Sequence, residues 1–297
     1  MKAPVRLTVL SDMAGHEWSG PAGHDPRVML DQAVRWGLTT IDLKTVLGKN
    51  VADLSDDETE QVAAALAASG VEVQAVSTLL MKLTVEDGEA AFHRHLAALD
   101  RTLVIARRLR PRMIRLLAAD TAKRQGLGDS WPYLQREHPW LLRIYAEAVT
   151  RIHAAGFEAV IENECGGCIF STPSEVVSFF TALGRTDQVR FIWDVQNLWQ
   201  MGVFPTMAVY RQLAPFIGFY HVKGGRCGPD SPALIWRAPL ENASWPVLEI
   251  TRAVIAEGLS PVICINPSHG QPAPGENRDN YTARDLAFLR RHIPEIE

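Results

Sequence analysis

The chain has 297 residues, 47% of them hydrophobic and 22% charged, with 21 glycines and 18 prolines. That is ordinary globular composition, which excludes a disordered, collagen-like or coiled-coil chain and is long enough for a sizeable core. Lysine and arginine number 30 against 34 acidic residues, a formal net charge of -4, so the balance carries no electrostatic footprint for nucleic acid or an anionic membrane.

From the N-terminus, short β-branched or apolar runs alternate with amphipathic stretches rich in Ala, Leu and Arg. Residues 6–10 predict a strand, 26–36 a helix closed by Gly37, and 40–43 (TIDL) a second strand. A helix follows over 57–68, stopped by Ser69-Gly70, then a strand over 72–77 and a long helix over 88–109. Residues 113–117 (MIRLL) predict the fourth strand, 141–155 a helix ended by Gly156, and 158–162 (EAVIE) the fifth strand. The remainder reads as a helix over 173–183, a strand over 189–194, a short helix over 207–213 and a strand over 217–222. A helix over 245–257 closed by Gly258, a strand over 262–266 and a helix over 282–291 complete the chain. Helix stops at glycine follow the usual C-terminal rule.

Strands alternating with helices imply parallel βαβ units. Eight of them predict an α/β fold, a single (β/α)8 TIM barrel over residues 1–297. A doubly wound sheet usually has fewer strands, and no G-x-G-x-x-G follows the first strand. The four cysteines, Cys165, Cys168, Cys227 and Cys264, are too few for a disulfide scaffold in a chain of this length. The N-terminus lacks a signal-peptide pattern, and no apolar run approaches the roughly 18 residues of a membrane span. The expectation is a soluble, cytoplasmic protein.

Barrels of this kind place chemistry at the C-terminal ends of their strands. The polar residues there are Asp12, Lys44, Ser77, Arg115, Glu162, Glu164, Asp194, Asn197, His221, Lys223 and Asn266. On the last four strands the set is Glu, Asp, His and Asn, a nitrogen- and oxygen-rich collection suited to Mn²⁺, Co²⁺, Mg²⁺ or Zn²⁺.

Five segments carry a family likeness: residues 43–58 (LKTVLGKNVADLSDDE), 77–82 (STLLMK), 159–164 (AVIENE), 193–197 (WDVQN) and 220–223 (YHVK). In this order, most at predicted strand ends, they resemble the sugar phosphate isomerase/epimerase group of xylose-isomerase-like TIM barrels. The resemblance implies one divalent metal held by Glu162, Asp194 and His221. The group's fourth ligand, a second glutamate, is replaced here by Asn266. Gly224 stands where the group usually has an aspartate.

In such epimerases the two glutamates both ligate metal and move protons. An asparagine amide cannot titrate, although its carbonyl oxygen can still ligate a hard cation. The resemblance therefore implies an isomerase or epimerase acting on a small sugar or keto-polyol by proton abstraction next to a carbonyl. Glu162 is the expected base and Lys223 a second acid–base group. A one-base lyase or dehydratase and a ligand-binding protein that has lost catalysis are the alternatives. Lys44, Lys82, Arg115, Glu164, Asn197 and Arg226 are expected around a neutral or anionic substrate. A homo-oligomer is compatible with the resemblance.

Ordinary readings stand beside these. Strand-end carboxylates also cap helices, Asn266-Pro267 also starts a turn, and Cys165-Gly-Gly-Cys168 reads as a loop because no second CxxC completes a zinc cluster. Trp18, Trp131, Trp193, Trp199 and Trp236 serve as sugar-stacking walls or as packing. The long polar stretches 118–139 and 267–280 read as loops over the barrel mouth, the first as a lid.

Overall fold

The strand-forming runs are short, and most of their residues are apolar. A sheet covered on both faces demands such near-continuous apolar strands rather than alternation. The computed structural model describes residues 5–15, 25–273 and 281–297. Trp18 and residues 274–280 lie outside that set. The barrel strands are β1 (Arg6–Val9), β2 (Thr40–Leu43), β3 (Glu72–Ser77), β4 (Met113–Leu117), β5 (Glu158–Glu162), β6 (Val189–Asp194), β7 (Ile217–Val222) and β8 (Val262–Ile265). They form one eight-stranded sheet in the order β1-β8-β7-β6-β5-β4-β3-β2, with parallel pairing throughout. A parallel bridge between Leu10 and Asp42 joins the two ends. The fold is the TIM barrel that the strand–helix alternation predicts.

Six of the eight strands begin and end where the sequence places them, and β1 and β8 each stop one residue earlier. The helices agree to within two residues, the usual fraying of helix ends. Two helices begin with reciprocal caps. Ser55 and Glu58 exchange side-chain and backbone hydrogen bonds ahead of Asp56–Ser69, and Thr172 and Glu175 do so ahead of Pro173–Leu183.

Inside the barrel, Ala75, Met113, Val160, Ile192, Phe219, Val262 and Cys264 close the bore with an apolar layer. The larger core lies between sheet and helices. The plugged bore leaves the C-terminal mouth as the floor of a polar site.

The structure adds elements that periodicity did not show. They are the short helices Ser11–Gly15, Trp131–Glu137 and Val195–Gln200, a hairpin of Thr45–Val46 with Lys49–Asn50, and a second of Arg226–Gly228 with Ser231–Trp236. None of them shows a clear helical or strand period in the sequence. The stretch 118–139 is tied down where a lid was expected. Glu86 accepts hydrogen bonds from Thr121, Ala122 and Tyr133, and Glu175 accepts them from Arg124 and the Ser130 backbone.

Candidate active site

Three strands deliver the centre of the site. Glu162 ends β5, Asp194 ends β6, and His221 lies one residue before the end of β7, in register with Asp194. All three are buried, and one ligand atom from each lies within 4.8 Å of the others. Alternation along a strand would point such residues into the bore, but the pairing register alone puts them at one height.

Both oxygens of Glu162 are engaged. Oε2 accepts from Arg115 at 2.6 Å and Oε1 lies 2.7 Å from His221 Nδ1. The other arm of Arg115 donates to the Thr78 carbonyl at 3.0 Å. Asp194 divides its oxygens. Oδ1 accepts the Gln196 and Asn197 backbone N–H groups at 3.1 and 2.9 Å, capping Val195–Gln200, and Oδ2 meets Lys223 Nζ at 2.7 Å. Asp194 therefore caps a helix with one oxygen and turns the other to Lys223. Lys223 also donates to Asn197 Oδ1 at 3.0 Å, and Asn163 braces the Asp194 backbone at 2.9 and 3.0 Å.

These charges hold one another. Burial opposes ionisation of Glu162, yet Arg115 and then His221 keep its carboxyl well below the usual range. Burial also works against charge on Lys223, and Asp194 more than offsets it, so the ammonium persists above its ordinary range. At the lip, Glu164 has its pKa raised, first by burial and then by the charge of Glu162. Among the described residues its carboxylate makes no hydrogen bond or ion pair.

Asp42 was not singled out by sequence. It sits inside β2, wholly buried, where every neighbour in the strand is also buried. Ser77 Oγ donates to its Oδ1 at 2.5 Å, and Oδ2 lies 3.5 Å from His221 Nε2 and 4.0 Å from Cys264 Sγ. The available signal was an ionisable residue within an otherwise uncharged four-residue strand, since a fully buried carboxylate is rare without a partner. Gln196 was missed as well. It links the loops after β7 and β8, donating to the Gly224 carbonyl at 2.6 Å and to Ser268 Oγ at 3.1 Å.

Asn266 is buried just beyond β8, its Nδ2 3.7 Å from Cys264 Sγ and its backbone N–H on the Val222 carbonyl. At Gly224 a Cβ would stand 1.9 Å from the Ala238 carbonyl oxygen, so this backbone excludes the aspartate of the resembled group. Gly225 has φ +130°, and a Cβ there would meet Gln196 Nε2 at 2.6 Å.

The basic ring expected around the mouth is largely neutralised. Lys44 pairs with Asp12 and Lys82 with Asp120, each at 2.9 Å. Arg226 is exposed on the second hairpin, 5.6 Å over the Trp236 ring, and does not join the central cluster. Trp193 is fully buried and stacks on Tyr210, Trp131 packs on Phe179, and Trp199 donates to the Pro232 carbonyl. Cys165 and Cys168 are free thiols. Cys168 accepts from the Glu164 and Phe170 backbones, which makes this CxxC a folded loop.

The donor set fits a divalent cation. Two carboxylates and an imidazole are a hard-to-borderline combination. The buried His221 Nε2 has no hydrogen-bond partner and faces Asp42, the arrangement of a ligating histidine whose second nitrogen meets a carboxylate. A second trio, Asp42, His221 and Cys264, shares the histidine and meets the same spacing.

An eight-stranded parallel barrel with this mouth defines a class of enzyme-bearing scaffolds. The chain belongs to the xylose isomerase-like TIM barrel family, whose model matches residues 30–292. No curated protein matches the sequence. Among solved structures it is similar to a xylose isomerase-like TIM barrel protein from Mycobacterium smegmatis in complex with magnesium (17% identity, TM-score 0.69, covering 98% of this chain and 96% of that one). It is also similar to the probable 3-DHS dehydratase AsbF from Bacillus anthracis (14%, 0.69, 96% and 98%). A D-allulose 3-epimerase from Methylomonas sp. is a third (10%, 0.68, 98% and 99%). At these identities the likeness is one of fold. No helix among the described residues is long and apolar enough to cross a membrane.

Proposed function

We propose that this protein is a divalent-metal-dependent enzyme of the isomerase or epimerase type, acting on a small sugar or keto-polyol by moving a proton at the carbon next to a carbonyl. The observation that carries the reading is the buried Glu162, Asp194 and His221 cluster, with ligand atoms within 4.8 Å, set between Arg115 and Lys223. Glu162, Asp194 and His221 would hold the cation, with Asn266 as a neutral fourth donor. Bound there, Mg²⁺, Mn²⁺, Co²⁺ or Zn²⁺ would polarise a carbonyl oxygen and offset the charge developing as the neighbouring carbon loses its proton.

The protein's own groups divide the remaining work. Glu162, with one oxygen on Arg115 and the other on His221, is arranged to ligate the cation rather than to move a proton. The expected role of base passes to Glu164, whose carboxylate is unpaired at the lip. Lys223, fixed by Asp194 and Asn197, presents an ammonium that orients a substrate oxygen and donates to it. Lys44 and Lys82, each already paired, contribute hydrogen bonds to hydroxyl groups rather than free charge.

The neutral Asn266 favours a second reading, a dehydratase. Glu164 would remove the carbon-bound proton, and hydroxide would leave the adjacent carbon, taking a proton from Lys223 to depart as water. Support comes from the dehydratase name carried by one structural relative.

The test is metal analysis of the purified protein, followed by a screen of ketoses and hydroxy-ketones in deuterated water. Glu162→Ala is expected to lose bound metal. Glu164→Gln is expected to keep metal and fold but to lower kcat by about 10²–10⁴-fold. An epimer with deuterium at the reacting carbon supports the first reading, and a dehydrated product the second. A metal-free protein together with a fully active Glu162→Ala variant defeats the proposal.

A further inference from the structure

His221 is the one fully buried imidazole among the described residues, and its two nitrogens face two different acids. Nδ1 lies 2.7 Å from Glu162, and Nε2 lies 3.5 Å from Asp42 with no hydrogen bond of its own. Asp42 is itself oriented. Ser77 holds Oδ1 at 2.5 Å and leaves Oδ2 turned to the imidazole. The other group beside Oδ2 is the Cys264 thiol, 4.0 Å away.

A ligating imidazole must offer a lone pair on one nitrogen and carry its proton on the other, and the group facing the second nitrogen decides which. With Ser77 donating to Oδ1, the carboxylate oxygen Oδ2 turns an acceptor to the imidazole, so Asp42 suits an N–H at Nε2 rather than a lone pair. We propose that Asp42 is a positioning residue that keeps the His221 proton on Nε2 and thereby frees Nδ1 for the cation shared with Glu162 and Asp194. The inference rests on the metal reading given under the proposed function. It also supplies a physical compensation for Asn266: a carboxylate behind the imidazole makes that ligand more electron-donating, returning part of the negative charge that a fourth carboxylate would bring.

Asp42→Asn tests this because it preserves size and the Ser77 hydrogen bond while turning an N–H toward Nε2. That selects the opposite tautomer, with the proton on Nδ1 and the ligating lone pair gone. In the full-length protein, Mn²⁺ or Zn²⁺ affinity measured by chelator competition is expected to weaken about 10–100-fold. The metal-free variant should still fold, with the circular dichroism of the metal-free wild type, so that a weaker affinity is not a loss of fold. In ¹⁵N-labelled, Zn²⁺-loaded wild type, long-range ¹H–¹⁵N spectra should show His221 protonated at Nε2. Cys264→Ser should leave affinity and tautomer unchanged.

Equal affinity in wild type and Asp42→Asn overturns the inference while sparing the metal reading. So does a thiolate-to-cobalt absorption band in the Co²⁺-loaded protein that Cys264→Ser abolishes, because it puts the cation on the Nε2 side with Asp42 and Cys264. A wild-type protein that takes up none of Mn²⁺, Zn²⁺, Co²⁺ or Mg²⁺ overturns both.

Discussion

The buried charges of the mouth occur as matched partners, Arg115 with Glu162 and Lys223 with Asp194, each nearly inaccessible to solvent. Such pairs add little net stability, but losing one partner strands the other and costs about 3–5 kcal/mol. An exposed pair such as Arg6 with Glu72 contributes about 1 kcal/mol or less. The site's charges are thus fixed in place at no large gain in stability. A buried acid with a different consequence lies on the last helix. Asp285, whose Oδ1 accepts the Leu240 backbone N–H at 2.7 Å, has its pKa pushed up to about 7 by burial. A carboxyl with a raised folded-state pKa lends its stability below the unfolded value and loses it as pH rises through the folded one. Wild-type stability should therefore decline from about pH 4 to pH 7, by up to about 1.4 kcal/mol per pH unit from this group. Asp285→Asn should flatten that slope and be the more stable form at pH 8. Urea unfolding at pH 5 and pH 8 checks this, and parallel behaviour of the two proteins would refute it.

Among the elements, two helix starts carry Ser-x-x-Glu and Thr-x-x-Glu patterns that close as reciprocal caps. The stretch 118–139 was not legible in this way. Its composition is polar and aperiodic, yet Glu86 and Glu175, both distant in sequence, organise it. Glu175 does more than cap its helix, since it also accepts from Ser171 and Arg124 and holds the Ser130 backbone. Glu175→Ala should cost more than the roughly 1 kcal/mol of a lost helix cap, because a buried N–H and Arg124 lose their partner. Limited proteolysis should then cut within 118–139 in the variant at protease levels that leave wild type intact. Equal protection of both would show that the stretch holds itself.

At the scale of the molecule, an apolar plug closes the bore, and the strand ends above it carry the polar cluster. Lys44, Lys82, Arg115 and Lys223 are each paired with an acid, and Glu164 makes no ion pair among the described residues. With those cations paired, they offer no free positive charge for a phosphate, and the proposed divalent cation would bind the folded state alone. Cation binding should therefore couple to global stability. At a metal concentration 100-fold over Kd, unfolding should become harder by about 2.7 kcal/mol, and a chelator should reverse this. Calorimetry with and without Mn²⁺ measures it, and a melting temperature indifferent to metal would contradict it.

The sequence by itself determined the fold, because eight strand–helix alternations with glycine stops are local signals. It also determined three of the residues at the mouth, because Glu162, Asp194 and His221 sit at recognisable strand ends. Only the tertiary structure decided their partners. Strand register set Asp194 beside His221, brought Asp42 from β2 across the bore to Nε2, and gave both Glu162 oxygens away. It also placed Arg226 out on a hairpin and left Gly224 no room for a side chain. These are contacts between segments far apart in the chain, and periodicity, which reports only which face of an element is apolar, carries no information about them.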